Sequence, residues 1–197
     1  MARSLYLILA LLLLGGCAGP DTRDTATLSW VEHQASLGQF QYWSARGKLA
    51  LRTSDRAESA TLLWRQQGAH SELHLSGPIG MGATTIHSNG QQMEIRQGDE
   101  RRVIDISTPD AIARNTGWDL PLQALPYWLK GLPAPREEVQ LLELDQDLLR
   151  SLQQDGWSVQ YQQYEQFDQK MLPTRLRIQR GDTSVRMIIG NWQALPN

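Results

Sequence analysis

The sequence predicts a mainly β fold: one antiparallel sheet of about ten strands, curled, with small helices packed in its mouth. Three observations carry that expectation. Apolar and polar residues alternate at period two through most of the chain, as in half-buried strands. Turn residues such as Asn89-Gly90, Asp155-Gly156 and Arg180-Gly181-Asp182 separate those runs. The stretches with helical spacing are too short to stand alone in water. No internal repeat is visible.

The first residues come before the fold. Arg3 supplies a positive start, and Leu5 to Leu14 form an almost unbroken apolar run. A run of that length falls short of the roughly 20 residues a spanning helix needs, but it fits the apolar core of a secretory leader. Leu14-Gly15-Gly16-Cys17 ends it with small residues and the chain's single cysteine. That ending resembles the lipobox of bacterial lipoproteins, which implies cleavage after residue 16 and acylation of Cys17. The chain then divides into a leader (1–16), an acylated cysteine with a flexible tether (17–28) and one domain (29–197). The tether is small, polar and aperiodic, and from Ala18 to Ser29 it reaches about 40 Å extended or about 20 Å as a coil. In enteric lipoproteins an aspartate after the cysteine signals inner-membrane retention. Ala18 stands there, which implies the outer membrane.

Ser29 and Glu32 make a capping box that opens a helix to about Leu37, with Gly38 as its stop. His33 within it reads as a hydrogen-bonded structural histidine. Trp43, Ala45, Gly47, Leu49 and Leu51 then alternate with polar neighbours as a first strand. Ala60, Leu62 and Trp64 mark a second, and Leu73 and Leu75 a third. Short strands follow at Thr84–His87, Met93–Arg96 and Arg102–Ile106. Thr108-Pro109-Asp110 starts a short helix to Asn115, with proline at its first position. Another runs from Leu122 to Lys130, carrying Leu125, Trp128 and Leu129 on one side, with Pro126 in its first turn. Residues 137–152 are expected to be irregular, with a strand ending at Leu152. Strands close the chain around Trp157–Tyr161, Arg175–Gln179 and Ser184–Ile189.

Composition narrows the function. Without Arg3 the 19 basic residues lose one against 21 acidic, so the mature chain is acidic, with no footprint for nucleic acid. No run of Lys and Arg forms a polybasic cluster for anionic lipid. Seven tryptophans suggest wide apolar surfaces. His70 and His74 fall on a polar face with no third ligand at metal spacing, and His87 is solitary. No nucleophile elbow, phosphate loop or nucleophile–base set appears, so neither an enzyme nor a cofactor is expected. The unusual feature is Ser76-Gly77-Pro78-Ile79-Gly80-Met81-Gly82-Ala83, a turn with two large apolar residues at its tip. Ile79 and Met81 either fold back over the core or are offered to something apolar.

Several ordered segments together resemble the outer-membrane lipoprotein-sorting receptor family LolB. They are Trp30-x-x-His33, Trp43-x-x-x-Gly47, Gly77-Pro78-Ile79-Gly80, Leu125-Pro126-Tyr127-Trp128-Leu129-x-Gly131-Leu132-Pro133, Gly156-Trp157-x-Val159-x-Tyr161, Leu172-Pro173 and Asn191-Trp192. The resemblance implies an incomplete, open antiparallel β-barrel of ten to eleven strands whose apolar cavity is covered by helices. It implies receipt of acylated lipoproteins from the periplasmic carrier LolA and their delivery into outer-membrane lipid, by a monomer anchored there and facing the periplasm. Ile79 stands where the family's protruding loop commonly carries leucine, so Ile79 and Met81 are the expected membrane-insertion residues. Trp43, Leu49, Leu62, Trp64, Leu73 and Leu75 are expected on the concave face, with Leu125, Trp128 and Leu129 from the lid. Carriage of another lipid, or an accessory structural role in the envelope, are the competing expectations.

Overall fold

The computed structural model describes residues 28–77, 82–108, 111–116, 121–135 and 137–196. The leader, Cys17, most of the tether, Ile79 and Met81 lie outside them, as do Pro109 and Asp110 of the expected helix start. In chain order the described elements are α1 (Trp30–Gln39), β1 (Tyr42–Arg52), β2 (Ala57–Gln67), β3 (His70–Ser76), β4 (Thr84–Ser88), β5 (Gln92–Gln97) and β6 (Glu100–Asp105). Next come α2 (Ala111–Thr116), α3 (Leu125–Trp128), β7 (Val139–Asp145), β8 (Leu148–Gln154), β9 (Trp157–Phe167), β10 (Lys170–Arg180) and β11 (Thr183–Ala194). No described helix is long and apolar enough to cross a membrane.

All eleven strands form one antiparallel sheet in the order β6-β5-β4-β3-β2-β1-β11-β10-β9-β8-β7. Ten consecutive pairings can be built from local hairpins plus one closure, between β1 and β11, which brings the two ends of the domain together at the centre. Among the described residues β6 and β7 remain edges, so the curled sheet stays open. Its inner face is apolar because the period-two pattern is kept from strand to strand: Trp43, Leu62, Val159, Ile178 and Ile189 are all buried.

Local chemistry sets the curl. A bulge in the β1–β11 ladder falls between Arg46 and Gly47. A side chain at Gly47 would place its Cβ 2.0 Å from the Ile188 carbonyl oxygen, so only glycine allows the two strands to approach there. Pro173 lies within β10, at an irregularity in its pairing with β9. A proline cannot donate to the ladder and is tolerated at such a break. Both bulges sharpen the twist of the central strands.

The strand expected to end at Leu152 is present as β8, but the stretch before it, expected to be irregular, is a further strand, β7. Gln146 and Asp147, at φ 49° and 59°, form the tight turn between β7 and β8. The strand pattern is hidden because the register slips at Val139/Leu141 and again at Glu143/Leu144. Those slips break the period of two and leave Leu141, Leu144 and Leu148 at apparently helical spacing. A second expectation is also corrected: β10 starts at Lys170, five residues before Arg175, after a turn of Asp168 and Gln169 at φ 50° and 54°. Neither turn contains glycine, so neither carries the usual sequence signal. The final strand likewise runs past Ile189 to Ala194.

The helices pack on the inner side. Ser29 caps α1, donating its backbone N–H and hydroxyl to Glu32 Oε2 at 3.0 and 2.8 Å. The Trp30 N–H donates to Asp147 Oδ1 at 3.2 Å and ties the helix to the β7–β8 turn. His33 is buried on this helix, but its Nε2 has no hydrogen-bond partner, contrary to the expected bonded histidine. Burial lowers its pKa and favours the neutral ring.

Candidate functional site

The helix expected from Leu122 to Lys130 is a single regular turn, α3, between tighter turns. Pro126 has no N–H to extend the ladder, and Lys130 and Gly131 donate to Tyr127 and Trp128 three residues back. Residues 121–135 thus form a compact lid over the inner face. Gly131 ends the turn at φ +81°, where a Cβ would also meet Tyr164 Oη at 2.9 Å.

Buried polar groups hold this lid to the sheet. Gln154 on β8 is fully buried and uses both ends of its amide. Its Oε1 accepts from Trp128 Nε1 and from the Ala134 N–H, each at 2.8 Å. Its Nε2 donates to the carbonyls of Ala134 and Glu137 at 2.8 and 3.0 Å. Tyr161 Oη donates to the Trp128 carbonyl at 2.8 Å. On the opposite side Lys130 Nζ donates to the carbonyls of Leu37 and Phe40, both at 3.0 Å, capping the C-terminal end of α1. Burial pushes the Lys130 ammonium down to about 8. A buried lysine with two carbonyl acceptors is a costly fastening and a reversible one.

Between lid and sheet lies a cavity of about 590 Å³. Trp43, Trp64, Leu73, Ile86 and Ile106 form its sheet wall; Leu122, Ala124, Pro126, Tyr127 and Lys130 form its lid wall. Trp43 packs against Trp64 and Trp192 with ring centroids 5.7 and 5.1 Å apart, making an aromatic floor. The buried amide in its lining, Gln66, is internally satisfied. Gln66 Oε1 accepts from Trp64 Nε1 at 2.9 Å and from Ser71 Oγ at 2.7 Å, and its Nε2 donates to the Gly68 carbonyl at 2.8 Å. With that amide occupied, the aromatic floor offers a ligand apolar surface.

Of the expected lining residues, Trp43, Trp64 and Leu73 face this cavity. Leu62, Leu125, Trp128 and Leu129 are buried in the packing around it instead, and Leu49 and Leu75 are half-buried against the core farther along the sheet. Trp128 leaves the wall because its indole N–H is drawn to Gln154. Ile86 and Ile106 were readable from alternation and Tyr127 from the lid segment, whereas nothing in the sequence marked Lys130 or Gln66. Among the described residues no set of three His, Cys, Asp or Glu could hold a metal.

The sequence model of the family described as outer membrane lipoprotein LolB matches residues 41–192, from the start of β1 to the tryptophan of the aromatic floor. The chain belongs to the LolB family. Curated LolB relatives are similar along their whole lengths. The outer-membrane lipoprotein LolB of Ectopseudomonas mendocina is 34% identical over 200 residues, covering 98% of this chain and 97% of its own. That of Stutzerimonas stutzeri is 32% identical over 188 residues, covering 92% and 91%. The fold extends beyond LolB. A LolA superfamily protein from Nitrosomonas europaea superposes with a TM-score of 0.51 at 11% identity, over 86% of this chain and 95% of that one. A DUF1329 family protein from Desulfovibrio piger does so with 0.54 at 10%, over 84% and 90%. A LolB chain and a LolA superfamily chain therefore share the open sheet with its helical cover.

Proposed function

We propose that this LolB chain is an outer-membrane lipoprotein, acylated on Cys17, that accepts acylated lipoproteins from the carrier LolA and inserts them into the outer membrane. The observation that carries the proposal is an aromatic-floored cavity whose buried amide, Gln66, is already paired, beneath a lid held by a few breakable hydrogen bonds. Each buried methylene of an acyl chain contributes about 0.8 kcal/mol, so a triacylated client cannot pass through water and must move between apolar cavities. No nucleotide is needed if affinity increases from carrier to receptor to membrane, and no covalent chemistry is performed.

The cavity fits the roughly 300–1,000 Å³ range of a single compact ligand. Three acyl chains require more room, so loading displaces the lid, and the Lys130 and Gln154 contacts are what must yield. The receptor acts as a monomer, swung on its 17–28 tether, and Ile79 and Met81 meet the leaflet during delivery. Extraction of the purified protein with organic solvent, followed by mass spectrometry after incubation with client-loaded LolA, tests the cavity. Recovery of acylated client supports the proposal. Recovery of a glycolipid or phospholipid alone makes the protein a carrier of another lipid.

A further inference from the structure

The outer face of the central strands carries a second feature that the cavity does not use. β1, β10 and β11 contain no aspartate or glutamate. Their outward positions hold Arg46, Lys48 and Arg52 on β1, Arg175 and Arg177 on β10, and Arg186 on β11. The ladder fixes them as neighbours: Arg177 is directly opposite Arg186, and Ile188 lies between Lys48 and Arg175. Among the described residues none of the six has a carboxylate partner, and Arg177 Nε is buried without any acceptor. Like charges directly opposite on a sheet are destabilising. Elsewhere the outer face neutralises its cations: Glu94 takes Arg96 and Arg101, and Glu72 takes Arg65. No run of sequence announces this cluster, because three strands distant in the chain assemble it.

We propose that this cationic face docks on the anionic phospholipid headgroups of the membrane that holds the anchor, leaving the cavity side turned away. The face spans three strands, about 10 Å across and about 20 Å along β1. Neither cavity described for the molecule is lined by these six residues, and their even spacing along three paired strands suits a plane of headgroups. Ile188, 47% exposed at its centre, offers apolar contact to the same layer. The rest of the chain is net acidic, so an anionic leaflet selects this face over the others. The proposal rests on the membrane attachment proposed above, and it gives the receptor a resting orientation, cavity outward, distinct from delivery through the loop.

The test uses the full-length acylated protein added to preformed vesicles and a water-soluble amine-acetylating reagent, read by mass spectrometry. Lys48 lies in the patch, whereas Lys170 lies at the far end of β10 with its Nζ 5.3 Å from the Phe40 ring and sets the baseline. Co-flotation with pure phosphatidylcholine reports the anchor alone, so its failure refutes attachment and not the patch. With about 30 mol % phosphatidylglycerol, Lys48 should acetylate at least about threefold more slowly relative to Lys170 than on phosphatidylcholine. Salt at about 0.5 M, where screening acts within about 4 Å, should abolish the difference. Arg186→Glu should abolish it too, and that variant should fold well because it turns the like pair with Arg177 into an opposite one. Arg46→Glu provides a second variant away from that pair. Equal relative rates on both lipids, or protection that survives salt and both substitutions, overturn the proposal and leave an acidic protein as the occupant.

Discussion

Gln154→Leu would show how firmly the lid is fastened. Leucine keeps nearly the volume of glutamine but makes none of the four hydrogen bonds at 2.8–3.0 Å. Trp128 Nε1, the Ala134 N–H and the Ala134 carbonyl are then left without partners, while Glu137 is exposed and can turn to water. Each buried group without a partner costs about 1–3 kcal/mol, and the apolar leucine returns about 1, so the variant should lose about 2–8 kcal/mol. Urea unfolding with linear extrapolation measures it. Trp128→Phe removes one bond and leaves Gln154 its other partners, so it should cost less, and the double variant should cost less than the sum. A loss below about 1 kcal/mol for Gln154→Leu, or strict additivity with Trp128→Phe, would refute the idea that this amide holds the lid.

Other outcomes follow from the same structure. Lys130 has a folded pKa of about 8 against 10.5 unfolded. Between those values the unfolded chain binds more protons than the native one, so this group makes stability rise with pH, by about 3 kcal/mol at most. Below about 8 its buried charge is a standing cost. Lys130→Met should lack that rise when the two are compared by urea unfolding across pH 8 to about 9.5. Above that, burial of Tyr161 and Tyr164, which raises their pKa values, gives the opposite slope in both proteins. Cys17→Ala should abolish acylation, seen as loss of the lipid mass and of membrane co-fractionation. Ile79→Glu should leave thermal stability and receipt of client nearly unchanged while stalling client on the receptor, because burying one isoleucine contributes only about 1.5–3 kcal/mol of membrane contact. Ile79→Ala should be milder, since Met81 remains.

Much of the sheet was legible because its strands face water on one side and core on the other, which writes a period of two into β1 to β6, β9 and β11. The pattern failed where the register slips. The bulges in β7 disguise a strand as a leucine-spaced helix, and Pro173 hides the first half of β10. Turns without glycine, Gln146-Asp147 and Asp168-Gln169, were silent for the same reason that they are unusual: their positive φ is imposed by the strands on either side. The aromatic floor could be anticipated from Trp43 and Trp64. The fastening of the lid could not, because Gln154 and Lys130 are polar residues whose burial depends on partners 17 to 93 positions away. The cationic face was hidden similarly. Its charges are spread thinly over β1, β10 and β11 and become neighbours only through the closure of the ladder.

The most direct measurement follows one labelled, triacylated client through the whole transfer. LolA loaded with the client is mixed with the full-length protein reconstituted in vesicles, and the client is followed by flotation over time. The label should leave LolA, appear transiently on the receptor, and accumulate in the vesicle bilayer without nucleotide. Vesicles lacking the receptor should receive almost none. Equal insertion with and without the receptor, or client that never associates with it, would contradict a role as acceptor and inserter of lipoproteins.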